Sequence, residues 1–118
     1  MKVTFVSRYE AKRLSKQDLE DVVFISINDT NDELKEMSES LEGYETLFLK
    51  FFDVDDVDGG FTNEQADAVK TFVHNAFFDD KDIIVHCFAG VSRSGAVAKW
   101  INEHYSLNDV YLTNYKMY

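Results

Sequence analysis

The 118-residue chain has no proline and a single cysteine, Cys87. One cysteine excludes an intrachain disulfide, a multi-cysteine zinc cage and a CxxC redox pair, so any chemistry at Cys87 is that of a thiol. Positive charge is also scarce: 12 Lys and Arg stand against 22 Asp and Glu, a net charge of −10. A general electrostatic grip on nucleic acid or on an anionic membrane face needs a cationic surface, and neither partner is expected. Apolar runs fall well short of the ~20 residues that cross a bilayer. The opening MKVTFVSRYEAKR lacks the apolar core of a secretory leader. The expectation is a soluble, cytoplasmic, monomeric protein, with residues 1–118 forming one domain.

The residues that are present alternate between two periodicities. After a short apolar opening at Val3 and Phe5, Ser7 and Glu10 have the spacing of a helix capping box. Val22 to Ile27 is a β-branched apolar run ending at the polar Asn28-Asp29, which reads as a buried strand. Thr30 and Glu33 repeat the capping spacing; Leu34, Met37 and Leu41 share a helical face, and Gly43 suits the stop. Leu47–Phe51 predicts a second strand leading into the acidic run Asp53–Asp58 and Gly59-Gly60. Thr62 and Gln65 open a helix carrying Ala66, Val69, Phe72, Val73, Ala76 and Phe77 at three- and four-residue steps. Ile83–Val85 predicts a third strand, and Ala96, Val97, Trp100, Ile101 and His104 a helix from about Ser94. A weakly patterned helix is expected from Leu107 to Tyr118. Strands alternating with helices imply an α/β fold, a mostly parallel central sheet flanked by helices.

The chemistry concentrates after the third strand, in His86-Cys87-Phe88-Ala89-Gly90-Val91-Ser92-Arg93-Ser94-Gly95. Open α/β sheets bind ligands where strand C-termini pass through loops into helices. A tight strand–loop–helix turn aims successive backbone N–H groups inward and adds the positive end of the helix dipole. Gly90 and Gly95 offer conformational freedom there. Arg93 carries a planar fork able to hold two oxygens at once. The backbone of Phe88, Ala89, Gly90, Val91, Ser92 and Arg93 then forms a cup for a tetrahedral dianion with the Cys87 sulfur at its base. The same donors favour the thiolate over the thiol. Ser94 is placed to offer its hydroxyl to that sulfur, and His86 to order the loop from behind.

The spacing His86-Cys87-(five residues)-Arg93-Ser94 resembles the signature of the cysteine-based protein tyrosine phosphatases, and HCFAGVSRSGAVA looks like the dual-specificity branch, HCxAGxSRS. The resemblance implies a tyrosine-phosphatase-like fold with a strand–phosphate loop–helix active site. It also implies hydrolysis of phosphotyrosine, and of phosphoserine and phosphothreonine, in a protein or peptide substrate, without cofactor or metal. Cys87 would be the nucleophile, Arg93 the oxygen clamp, and Ser94 the donor easing thiolate departure. The family also uses an aspartic acid about thirty residues before the cysteine as proton donor. Asp55, 32 residues upstream, has that spacing; Asp53, in a Phe-x-Asp-Val context, and Asp56 are the alternatives. With no proline the chain departs from the Trp-Pro-Asp loop of the classical enzymes.

A lone cysteine is usually a small buried apolar residue, but here it comes with His86, Gly90, Arg93 and Ser94 in register. The Asp53–Asp58 run also reads as a solvated turn, and it lacks the spacing of an EF-hand loop. His74 and His104 read as surface or packing residues, and the tail tyrosines Tyr105, Tyr111, Tyr115 and Tyr118 likewise. An RNA 5′-triphosphatase and a phosphoinositide phosphatase share the signature; the absence of cations between Cys87 and Arg93 disfavours both. A phosphoryl-binding module with little turnover is the rival of a different class.

Overall fold

The computed structural model describes residues 2–51, 62–88 and 92–104. Its elements run β1 (Val3–Ser7), α1 (Arg8–Ser15), β2 (Val22–Asn28), α2 (Asn31–Ser40), β3 (Thr46–Lys50), α3 (Asn63–Phe78), β4 (Asp82–Cys87) and α4 (Ser92–His104). The four strands form one sheet in the order β1-β4-β2-β3, with every pairing parallel. The expected α/β architecture is thus realised, and the apolar opening at Val3 and Phe5 is an edge strand. The acidic run and the segment from Leu107 lie outside the described residues.

Side chains alternate across the sheet because strand residues point to opposite faces in turn. Val23, Ile25, Ile27, Ile83 and Val85 pack beneath α3 and α4, against Val69, Val73, Val97 and Ile101. Phe24 and Ile84 face the other way, onto Ala11, Leu14, Met37 and Leu41 of the α1–α2 layer. Each fully buried Phe or Ile stabilises the fold by about 1.5–3 kcal/mol relative to exposure, so both layers are needed.

All three capping spacings mark helix starts. Ser7 Oγ accepts from the Glu10 N–H at 3.1 Å and Thr30 Oγ1 from the Glu33 N–H at 3.1 Å. Only Thr62 and Gln65 complete the reciprocal box: the Gln65 Oε1 accepts from the Thr62 N–H at 2.9 Å. Elsewhere the acid is drawn away, Glu10 to Arg13 and Glu33 to the Asp29 N–H. Gly43 has φ +95°, the left-handed conformation its place after α2 requires. Gly95 differs from expectation. It lies within α4 without a positive φ, so it supplies no special turn; a Cβ there would sit 3.5 Å from the Phe5 ring.

Candidate active site

The C-terminal ends of β1, β2 and β4 converge where β4 hands over to α4. β4 is an inner strand, with Ser7 of β1 opposite Cys87 and Ser26 of β2 opposite His86. The alternation of strand side chains therefore splits the pair: Cys87 shares a face with Val85 beneath α4, while His86 faces the α1–α2 layer.

Cys87 is buried. The Ser94 backbone N–H donates to its sulfur at 3.4 Å, and Ser94 Oγ lies 3.2 Å from it. Both groups belong to the first turn of α4, where helical N–H groups have no partner within the helix. Arg93 precedes Ser94 and is also buried. Its Nη1 donates to the Phe51 carbonyl at 3.0 Å and to Asp29 Oδ1, and its Nη2 donates to Asp29 Oδ2 at 3.5 Å. Its Nε–H is buried with no hydrogen-bond partner among the described residues. A buried guanidinium N–H without a partner is costly unless something is meant to bind there.

His86 is fully buried. Its Nδ1 lies 3.4 Å from the Cys87 carbonyl and its Nε2 2.6 Å from Ser26 Oγ. Burial pushes its pKa down to about 4; the hydrogen bond to the Cys87 carbonyl opposes that shift, and the charges of Arg8 and Arg93 add to it. The ring is neutral at physiological pH, which suits a supporting group and not a proton donor. Ser26 is held in turn by Asn28, whose Nδ2 donates to Ser26 Oγ at 3.1 Å and to the Ser26 carbonyl at 3.2 Å. Phe88, the first loop residue, exposes its ring while its carbonyl accepts from the Arg8 N–H at 3.2 Å. The Arg8 guanidinium stands 6.0 Å from that ring and pairs with Glu36.

Of the site residues expected from sequence, the structure brings together Cys87, Arg93, Ser94, His86 and Phe88. Ser92 opens α4. Ala89, Gly90 and Val91 lie outside the described residues, as do the three candidate proton donors Asp53, Asp55 and Asp56. His74 and His104 are exposed, the latter stacked on Trp100 at 4.9 Å. Among the described residues no group of three or more His, Cys, Asp and Glu is placed to hold a metal, and no helix is long and apolar enough to cross a membrane. Sequence reasoning missed Ser26, Asn28 and Asp29. Their signal was present: polar residues closing an otherwise apolar buried strand, where each must have a partner.

No protein-family profile and no curated protein matches the chain. Among solved structures it is similar to one described as the crystal structure of Tk-PTP in the active form. The similarity has a TM-score of 0.61 at 19% identity, over 92% of this chain and 72% of that one. The four-stranded parallel sheet and its two helical layers thus resemble a protein-tyrosine-phosphatase fold.

Proposed function

We propose that the chain is a cysteine-dependent phosphomonoester hydrolase acting on phosphotyrosine, and on phosphoserine and phosphothreonine, in protein or peptide substrates. One observation carries this reading: the Cys87 sulfur lies against the N–H and Oγ of Ser94, while the preceding Arg93 keeps a buried Nε–H unpartnered among the described residues. A phosphoryl group held by Arg93 supplies the missing acceptor. The solved structure that shares the fold is described as a PTP, which agrees with this chemistry.

In this mechanism the Cys87 thiolate attacks phosphorus in line, forming the S–P bond as the bond to the leaving oxygen breaks. Asp55 gives that oxygen its proton, with Asp53 and Asp56 the alternatives. Arg93 and the N–H groups of the loop from Phe88 to Arg93 hold the three equatorial oxygens, where negative charge is concentrated. Water then attacks phosphorus and delivers its proton to the same carboxylate. The S–P bond breaks, and the Ser94 hydroxyl donates to the departing thiolate. His86 holds the Cys87 carbonyl from behind throughout.

Hydrolysis of an aryl phosphate in excess chelator tests the scheme. Activity is expected to survive the chelator, to vanish in Cys87→Ser, and to fall in whichever of Asp53→Asn, Asp55→Asn and Asp56→Asn removes the proton donor. Activity persisting in Cys87→Ser overturns it. Phosphocysteine accumulating with negligible turnover would favour a phosphoryl-binding role. A phosphopeptide panel reads the specificity, and strict preference for phosphotyrosine would count against a permissive site.

A further inference from the structure

We propose that Arg8 is the positioning residue for the peptide that follows Phe88, holding it through its own backbone N–H; this rests on the phosphatase reading above. The Arg8 N–H donates to the Phe88 carbonyl at 3.2 Å, one step beyond the point where Ser7 of β1 stands opposite Cys87 of β4. In a trans peptide the C=O and N–H point in opposite directions within one plane. A carbonyl drawn toward β1 therefore turns the N–H end of the same peptide away from β1. The strand order β1-β4-β2-β3 decides what lies on that side. β1 runs along one flank of β4, whereas Asp29 and the Phe51 carbonyl, which hold the Arg93 guanidinium, follow β2 and β3 on the other. The peptide after Phe88 thus offers its positive end to the flank where Arg93 would hold a phosphoryl group. The peptide before Phe88 is held by a different group: its carbonyl, that of Cys87, lies 3.4 Å from His86 Nδ1.

Arg8 is itself held at several points. Ser7 caps α1 by accepting from the Glu10 N–H at 3.1 Å, and Ala11 and Leu14 bury the helix against the sheet. The guanidinium pairs with Glu36 of α2, whose second oxygen takes the Lys12 ammonium at 2.8 Å. It also stands 6.0 Å from the Phe88 ring centroid, so side chain and main chain meet the same residue from two directions. The two contributions can be separated, because Arg8 is the first residue of α1. Proline fits that helix position, and Ser7, at φ −76° and ψ 165°, already has the extended conformation that precedes a proline. Arg8→Pro therefore keeps the helix and deletes the donor. Its ring carbon also takes the place of the hydrogen and pushes the Phe88 carbonyl away. Arg8→Ala removes the guanidinium and keeps the N–H.

The test is calorimetric titration of inorganic phosphate, together with kcat and KM for an aryl phosphate, on wild type, Arg8→Ala and Arg8→Pro, each checked for folding by thermal unfolding. Phosphate should bind Arg8→Pro about tenfold more weakly than Arg8→Ala, the loss of one hydrogen bond to a charged group. Its kcat should fall about tenfold to a hundredfold below that of Arg8→Ala, with a smaller change in KM, because loop donors act on the charge of the transition state. Equal phosphate affinity in the two variants overturns the proposal, and so does an equal kcat. A second measurement needs no variant. In wild type, saturation with phosphate should move the Arg8 amide proton downfield in the NMR spectrum, since a peptide that donates to an anion becomes the stronger acceptor. An Arg8 amide indifferent to phosphate overturns the proposal even where Arg8→Pro fails to fold. A wild-type protein that neither binds phosphate nor hydrolyses the ester refutes the phosphatase reading and this inference together. An active wild type whose proline and alanine variants match refutes the inference alone.

Discussion

Ser26 and His86 are register partners on neighbouring parallel strands, and their side chains meet 2.6 Å apart on the sheet face opposite the Cys87 sulfur. The direction of each bond follows from what its partner can do. The Cys87 carbonyl only accepts, so His86 Nδ1 carries the hydrogen. In a neutral ring Nε2 is then the acceptor, and the Ser26 hydroxyl donates to it. The Ser26 oxygen is free to accept from Asn28 Nδ2. A directed chain thus runs from Asn28 through Ser26 and His86 to the Cys87 carbonyl.

That chain makes stability depend on pH. The folded-state pKa of His86, about 4, lies below its ordinary 6.5, so between those values the unfolded state binds the extra proton. The contribution is fully present above about pH 6.5 and is lost as pH falls toward 4, on the order of 3 kcal/mol in all. Denaturant unfolding across this range should show stability falling with acid in wild type and a shallower fall in His86→Gln. Equal slopes would place the acid sensitivity elsewhere.

Removing the Ser26 hydroxyl leaves His86 Nε2 buried without a donor, since burial excludes the water that would replace it. Ser26→Ala should cost about 1–3 kcal/mol, the penalty of one orphaned buried group. Chemical denaturation measures it, and a change under a few tenths of a kcal/mol would show that the chain is not stabilising.

Two groups of Ser94, its N–H and its hydroxyl, touch the sulfur, and substitution removes only the hydroxyl. In Ser94→Ala the backbone N–H stays, so formation of phosphocysteine should continue while its breakdown slows, on the order of tenfold to a hundredfold. Rapid-mixing kinetics with an aryl phosphate should show a burst of one equivalent followed by a slow steady state. Loss of the burst would assign Ser94 to the first step.

Gly95 sits inside α4, and a Cβ there would make an ordinary contact with Phe5. Gly95→Ala should raise stability by about 0.5–1 kcal/mol through helix propensity. Gly95→Leu should lower it by crowding the Phe5 ring. Thermal unfolding of both variants checks the pair.

The fold was legible where a pattern had one physical cause. The run from Val22 to Ile27 is apolar because both faces of an inner strand are covered, and it is β2. The three Ser/Thr spacings each mark a helix start, since orphan N–H groups need an acceptor nearby in sequence. The Cys87–Arg93–Ser94 grouping was legible because its members are close neighbours in sequence, at the end of β4 and the start of α4. What stayed hidden was contact at long range. Asp29 reaches Arg93 across 64 positions and Ser26 reaches His86 across 60. No local spacing encodes either meeting, which depends on β4 entering the sheet beside β2. Gly95 was misread for a related reason: glycine beside a loop suggests a turn, whereas here it stands where α4 passes close to β1.

The inner position of β4 has a consequence for how the site comes apart on heating. The strand that ends in Cys87 is paired along both sides, to β1 and to β2. Pulling β4 out of the sheet therefore means unzipping two ladders and opening both helical layers, which amounts to unfolding the whole sheet. The amides of Val85 and His86 should be among the last to exchange with deuterium, at the rate set by complete unfolding. Heat inactivation should then coincide with the loss of the fold and have no earlier stage of its own at β4.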